Sequence, residues 1–105
     1  MPDTWITDMM HYLDEDGRLP PELPGPARML AEHLGAIIAS VTSRREKRAV
    51  RCRRRLGRRA CPGEVDAALE GDSVIRWACP ACGDNGYIRG WQGTIWDCRV
   101  SGMVQ

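Results

Sequence analysis

Among the 105 residues of this chain, five cysteines are the side chains best suited to do chemistry. Cys79-Pro80-Ala81-Cys82-Gly83 puts two residues between thiols. That spacing lets both sulfurs face one ion, and the small Gly83 lets backbone N–H groups turn toward the thiolates. Upstream, Cys52 and Cys61 form a second pair with eight residues between them, and Cys61-Pro62-Gly63 has the form of a second knuckle ahead of a strand. Four thiolates are a common tetrahedral set for structural zinc, so Cys52, Cys61, Cys79 and Cys82 are the expected ligands. The wide first spacing requires its loop to fold back. Cys98, sixteen positions after Cys82, is the rival fourth ligand and the expected spare. Zn2+ is the expected cofactor, although iron accepts the same four thiolates and the sequence does not separate the two. A site closed by four protein ligands has no open position for catalysis. The main rival reading is a thiol–disulfide redox pair at Cys79 and Cys82. Such pairs prefer a helix N-terminus, whereas short strands and glycine flank this one. Neither His11 nor His33 has a metal-ligand neighbour in sequence.

The second chemical signal is charge. The net charge of +1 hides a segregated chain. Residues 1–43 carry seven acids and two arginines, a net of −5; residues 44–59 carry nine Arg, one Lys and one Glu, a net of +9; residues 60–105 return to −3. The basic run surrounds the first cysteine pair. Three readings compete: a solvated face, compensation of the formal −2 on a four-thiolate metal site, and a surface for phosphates. Compensation needs only two or three arginines. The excess points to Arg51, Arg53, Arg54, Arg55, Arg58 and Arg59 as a nucleic-acid-binding surface, with an acidic protein or the chain's own N-terminal acids as alternative partners. Stacking on bases needs an exposed ring beside that loop, and Trp91, between Gly90 and Gln92-Gly93, is the candidate. Trp77, Trp91 and Trp96 otherwise read as core.

Several elements must position these groups. Trp5, Ile6, Met9 and Leu13 fall on one face at helical spacing and predict a short helix over Asp3–Leu13 that stops near Gly17. A proline-rich connector, residues 19–26, follows. Leu30, Leu34, Ile37, Ile38 and Val41 predict a longer amphipathic helix that begins at Pro26, with Gly35 its weak point. Strands are expected over Glu64–Leu69, Val74–Ala78 and Tyr87–Arg89, with turns at Glu70-Gly71-Asp72-Ser73 and Asp84-Asn85-Gly86. The expected fold is α+β: an N-terminal helical hairpin, residues 1–47, packed on a small three-stranded zinc-ribbon-like metal domain, residues 48–105.

The Cys-Pro-x-Cys-Gly form resembles the metal knuckle of zinc ribbons and rubredoxin-like folds. Thr4-Trp5-Ile6-Thr7-Asp8-Met9, Pro24-Gly25-Pro26-Ala27, Cys52-Arg53-Arg54, Cys61-Pro62-Gly63, the Cys79–Gly86 stretch and Gly90-Trp91-Gln92-Gly93-Thr94 through Asp97 together resemble a family of small uncharacterised bacterial proteins. The resemblance runs to about Asp97 and implies a bacterial, cytoplasmic, ribbon-like four-cysteine protein. It implies no particular activity. The first pair departs from the two- to four-residue spacing usual in ribbons.

No stretch approaches the roughly 20 apolar residues that span a bilayer, and the N-terminus lacks the basic-then-apolar form of a secretory signal. A cytoplasmic location with reduced thiols is expected. No Ser–His–Asp set, paired carboxylates or phosphate-cradling glycine loop is visible, so neither an enzyme nor a small-molecule substrate is expected. The leading expectation is a non-catalytic zinc-binding module that acts through its Arg-rich surface. A purely structural protein-interaction module is the third possibility.

Overall fold

A computed structural model describes residues 4–43 and 49–99 of the chain. Arg44, Arg45, Lys47 and Arg48 of the basic run lie outside the described residues. The fold is α+β, with one long helix and a five-stranded sheet. Helix α1 spans Gly25–Thr42 with proline in its first turn. No side chain caps it there; the Arg28 N–H bonds back to the Pro24 carbonyl at 2.9 Å. Its apolar stripe faces the sheet: Leu34, Ile37 and Ile38 are fully buried, with Leu30 and Val41 packed at the margin. Gly35 is buried in the same stripe for a reason invisible to propensity. A Cβ there would overlap the indole of Trp96.

The helix expected over Asp3–Leu13 is not formed, and with it goes the helical hairpin. Thr4–Asp8 is instead strand β1, followed by a short 3-10 helix, Met9–Tyr12. The side chain of Asp8 caps that helix by accepting from the Met10 N–H at 3.0 Å. The apolar spacing fitted a helix, but Thr-Trp-Ile-Thr is β-branched and aromatic, and such residues suit a pleated surface. The deciding factor is remote: β1 pairs in parallel with a strand some 80 positions away, in register Thr4↔Asn85 through Asp8↔Arg89. Trp5, expected on the apolar face of the short helix, stays 56% exposed.

The sheet is likewise wider than the three strands expected. Strands β2 (Val50–Arg51), β5 (Glu64–Glu70), β6 (Val74–Ala78) and β7 (Asn85–Arg89) join β1 in the order β1-β7-β6-β5-β2. The three expected strands are present as β5, β6 and β7, in an antiparallel meander. The turn expected at Asp84-Asn85-Gly86 is displaced. Asn85 and Gly86 lie inside β7, and the chain reverses at the cysteine knuckle just before them. Gly86 is required there for space, since a Cβ would meet the Trp5 carbonyl oxygen and the Trp77 indole.

Side chains alternate across β6 and β7, so Ile75, Trp77 and Ile88 face α1. Met9 and Trp91 complete that core. Trp91 is wholly buried, its Nε1–H donates to the Ser73 carbonyl at 3.2 Å, and the Arg99 guanidinium lies 4.4 Å from its ring centre. Trp91 is core, as the favoured reading has it, and the alternative base-stacking role is excluded. Truncating so large a buried ring to Ala would cost about 3–5 kcal/mol.

Candidate metal centre

The eight residues between Cys52 and Cys61 are not a slack loop. They form a small hairpin arm, β3 (Arg55–Leu56) and β4 (Arg59–Ala60), turned by Gly57-Arg58. A two-residue hairpin loop needs positive φ at its first position, and Gly57 has φ +68°. The arm closes on itself where the Cys61 N–H bonds to the Arg54 carbonyl at 2.8 Å, and Cys52 is tied to Gly63 at 2.9 Å. The wide spacing is thus folded back by ordinary β geometry, and both thiols of the pair emerge at the arm's base.

The second pair sits at the reversal between β6 and β7. The Cys79 N–H bonds to the Asp84 carbonyl at 2.7 Å, the Gly83 N–H to the Cys79 carbonyl at 2.8 Å, and Gly83 adopts φ +82°. Gly63 lets the two half-sites approach, because a Cβ on it would collide with Cys79 Sγ and Ala81 Cβ.

The four sulfurs of Cys52, Cys61, Cys79 and Cys82 all lie within 4.8 Å of one another. Cys52 Sγ is 3.7 Å from Cys82 Sγ, and Cys61 Sγ is 3.7 Å from Cys79 Sγ. A tetrahedron with metal–sulfur bonds near 2.3 Å has edges of about 3.8 Å, so the donor set fits a single tetrahedral ion. Cys52, Cys61 and Cys79 are buried and Cys82 half-buried. The four can hold one metal ion. Cys98 stands apart: its N–H donates to Thr42 Oγ1 at 3.0 Å beyond the end of α1, and its sulfur points at the Trp96 carbonyl.

Backbone amides aim at the sulfurs, as thiolates require. The Gly63 N–H reaches Cys61 Sγ at 3.4 Å, the Arg54 N–H reaches Cys52, and the Ala81 and Cys82 N–H groups reach Cys79. Burial is the largest influence on Cys52; with the neighbouring thiols it outweighs the Arg54 amide and pushes that thiol up to about 12. At Cys61 the Gly63 amide pulls downward most strongly, but burial and the thiols of Cys79 and Cys82 together leave it raised. At Cys79 burial acts upward, yet the knuckle amides and the thiols of Cys61 and Cys82 hold it below its ordinary value. Metal-free, the cluster retains protons that a bound cation would displace.

The arginines of the sequence prediction surround this centre. Arg51, Arg53, Arg55, Arg58 and Arg59 are exposed, and Arg54 is half-buried. Arg55 donates to the Arg58 carbonyl at 2.6 Å and so stiffens the tip of the arm. Arg54 Nη1 lies 3.4 Å from Asp84 Oδ1, and the Trp5 Nε1–H donates to the same oxygen at 3.1 Å. Sequence reading missed Trp5 and Asp84 as neighbours of the metal centre. Only the β1–β7 pairing brings them together, and no local signal carries that. No helix among the described residues is long and apolar enough to cross a membrane. No family model, curated protein or solved structure matches this chain, so its function is read from this geometry.

Proposed function

We propose that the chain is a non-catalytic module in which Cys52, Cys61, Cys79 and Cys82 hold one structural zinc ion, and that the metal orders a basic arm for contact with a polyanion, nucleic acid foremost. The observation that carries this reading is the clustering of four sulfurs within 4.8 Å of one another, with two of the separations, at 3.7 Å, near a tetrahedral edge. Four thiolates fill the coordination sphere and leave no position for substrate, so the ion's contribution is structural. Its formal −2 is offset by adjacent guanidinium groups. Arg51, Arg55, Arg58 and Arg59 remain turned to solvent, where they would neutralise phosphates and release counterions. The redox reading of Cys79 and Cys82 gains less support. Cys79 is only 1% exposed, and each of these two sulfurs has a close neighbour from the other cysteine pair.

Elemental analysis of the purified chain and its five Cys→Ser variants tests the metal. One zinc per chain is expected for the parent and for Cys98→Ser, with loss in the other four. Zinc retained by two or more of those four, or iron in its place, refutes the assignment. A salt titration with generic single- and double-stranded nucleic acid tests the surface. Affinity should fall steeply as salt rises, and no binding at low salt removes the polyanion reading.

A further inference from the structure

Beside the metal centre, between the N-terminal half of α1 and the knuckle end of the sheet, lies a cleft of about 440 Å³. This is within the size range of sites that enclose a small ligand, about 300–1,000 Å³. Its walls are apolar: Leu30 and Leu34 from α1, Trp77 from β6 and the indole of Trp5 from β1. Its rim is polar, with Arg53 and Arg54 from the base of the arm, Asp84 from the knuckle and His33 from α1. Arg54 pairs with the Asp84 carboxylate. That carboxylate's Oδ1 already accepts from Trp5 Nε1 and Arg54 Nη1. Arg53 is different: it makes no hydrogen bond or ion pair among the described residues, and it is exposed. Burial first, and then Arg53, lowers the pKa of His33, so the ring is neutral near pH 7 and repels no cationic neighbour.

A flat aromatic surface with one edge fixed, beside a cation unengaged among the described residues, matches a planar ring that carries an anionic group. Trp5 meets the requirement that Trp91 fails. It is 56% exposed, and its hydrogen bond to Asp84 holds the indole in one orientation. Arg55, Arg58 and Arg59 are exposed on the arm beyond Arg53 and add positive charge for further phosphates. We infer that the Trp5–Arg53 cleft receives one nucleotide of a single-stranded nucleic acid, its base against Trp5 and its phosphate on Arg53, while the arm tracks the neighbouring phosphates. This inference rests on the polyanion reading of the arm and adds a base-dependent subsite to it.

The test uses the zinc-loaded full chain and three probes: a single-stranded oligonucleotide, an abasic strand of equal length and charge, and a nucleoside monophosphate. The oligonucleotide should bind about ten- to one-hundred-fold more tightly than the abasic strand, the range that one stacked base supplies. Trp5→Ala should remove that advantage and leave abasic binding unchanged. Because Trp5 is on an edge strand with its ring outside the core, the variant keeps Trp91 buried, which its emission verifies. Arg53→Gln should weaken both strands and reduce the slope of log affinity against log salt by about 1. Equal binding of the two strands, or an unaltered preference in Trp5→Ala, overturns the subsite and leaves the polyanion reading standing. Failure of every strand to bind at low salt overturns both. A monophosphate that binds as tightly as the strand assigns the cleft to a free nucleotide and overturns the strand.

Discussion

Removing the metal should melt the arm and spare the core. The two are distinct clusters that meet at Val65. Among the described residues, the cysteine cluster packs against Val65, which also touches the main core of Met9, Leu34, Ile37, Ile38, Ile75, Trp77, Ile88 and Trp91 between α1 and the sheet. Holding the eight residues between Cys52 and Cys61 in one conformation costs about 8–16 kcal/mol, at about 1–2 kcal/mol per residue. Against this the arm supplies little of its own. It has a two-pair ladder, the Cys61-to-Arg54 bond and the Arg54–Asp84 pair. At about 1 kcal/mol net per hydrogen bond, and less for a partly exposed ion pair, these come to a few kcal/mol. Structural zinc contributes about 10–16 kcal/mol in small finger peptides, which closes the gap. A chelator should therefore collapse the amide-exchange protection of residues 53–60 and open Arg53–Arg59 to trypsin. Protection in α1, β6 and β7, and the blue emission of buried Trp91, should persist. Arm amides that stay protected without metal would refute the reasoning. So would global unfolding, because it would mean that the helix–sheet core cannot stand without the ion.

Metal affinity should rise with pH. Cys52, pushed up to about 12, and the raised Cys61 are both protonated at neutral pH in the metal-free chain and must lose those protons on binding. At least two protons released give an increase of at least about 100-fold per pH unit, measurable by chelator competition; a dependence under tenfold per unit contradicts the assignment. Gly35→Ala gains about 0.8–1.0 kcal/mol of helix propensity but drives a Cβ into Trp96. The ring's neighbours are pinned by the Cys98-to-Thr42 and Asp97-to-Thr94 bonds, and overpacking costs about 1–3 kcal/mol. The central net cost of about 1 kcal/mol lowers Tm by about 4–8 °C, and a rise would show that the ring yields. Asp97 is buried and accepts from Gly93 and Arg99. Burial acts upward on its carboxyl, but these bonds and the Arg99 charge outweigh it and hold it below the usual range. Its stabilisation is thus present above the ordinary carboxylate pKa and is lost as pH falls through the lowered value. Asp97→Asn should cost about 1–3 kcal/mol at pH 7 and flatten the acid limb of a stability–pH curve.

Local chemistry carried far in this sequence, and remote pairing did not. Each cysteine pair, the α1 stripe, the β5–β6–β7 meander and the Glu70-Gly71-Asp72-Ser73 turn depend on neighbours close in sequence, and these are present; the turn read at Asp84-Asn85-Gly86 is displaced onto the knuckle before it. Thr4–Asp8 is the opposite case. Its apolar spacing satisfied a helix template, and its true partner, Asn85–Arg89, contributes through a parallel ladder with no sequence mark. Trp5 shares that origin: it fitted the apolar face of a helix, yet its strand lies at the sheet edge and it stays 56% exposed. Trp91, read as core with base stacking as the alternative, fills the sheet–helix core. Gly35 read as the weak point of a helix and Gly86 as part of a turn. Each is a seat for an indole.

The parallel β1–β7 ladder also explains why a structural ion would matter to binding at all. It places Trp5 opposite Gly86, one pair in from the end of the sheet where the knuckle turns. The sheet thereby fixes one wall of the cleft without help from the metal. The arginines of the other wall are carried by a two-residue-stranded hairpin, and an isolated pair of strands so short is not stable in water. Four sulfurs joined through one ion would tie that hairpin to the same knuckle and bring Arg53 and Arg54 to a set distance from the indole. Stripped of metal, the chain would keep an aromatic wall facing a disordered basic loop. Attraction for phosphate would survive, because it depends on charge alone. Discrimination between a strand with bases and one without would go, because it depends on where the charge is held.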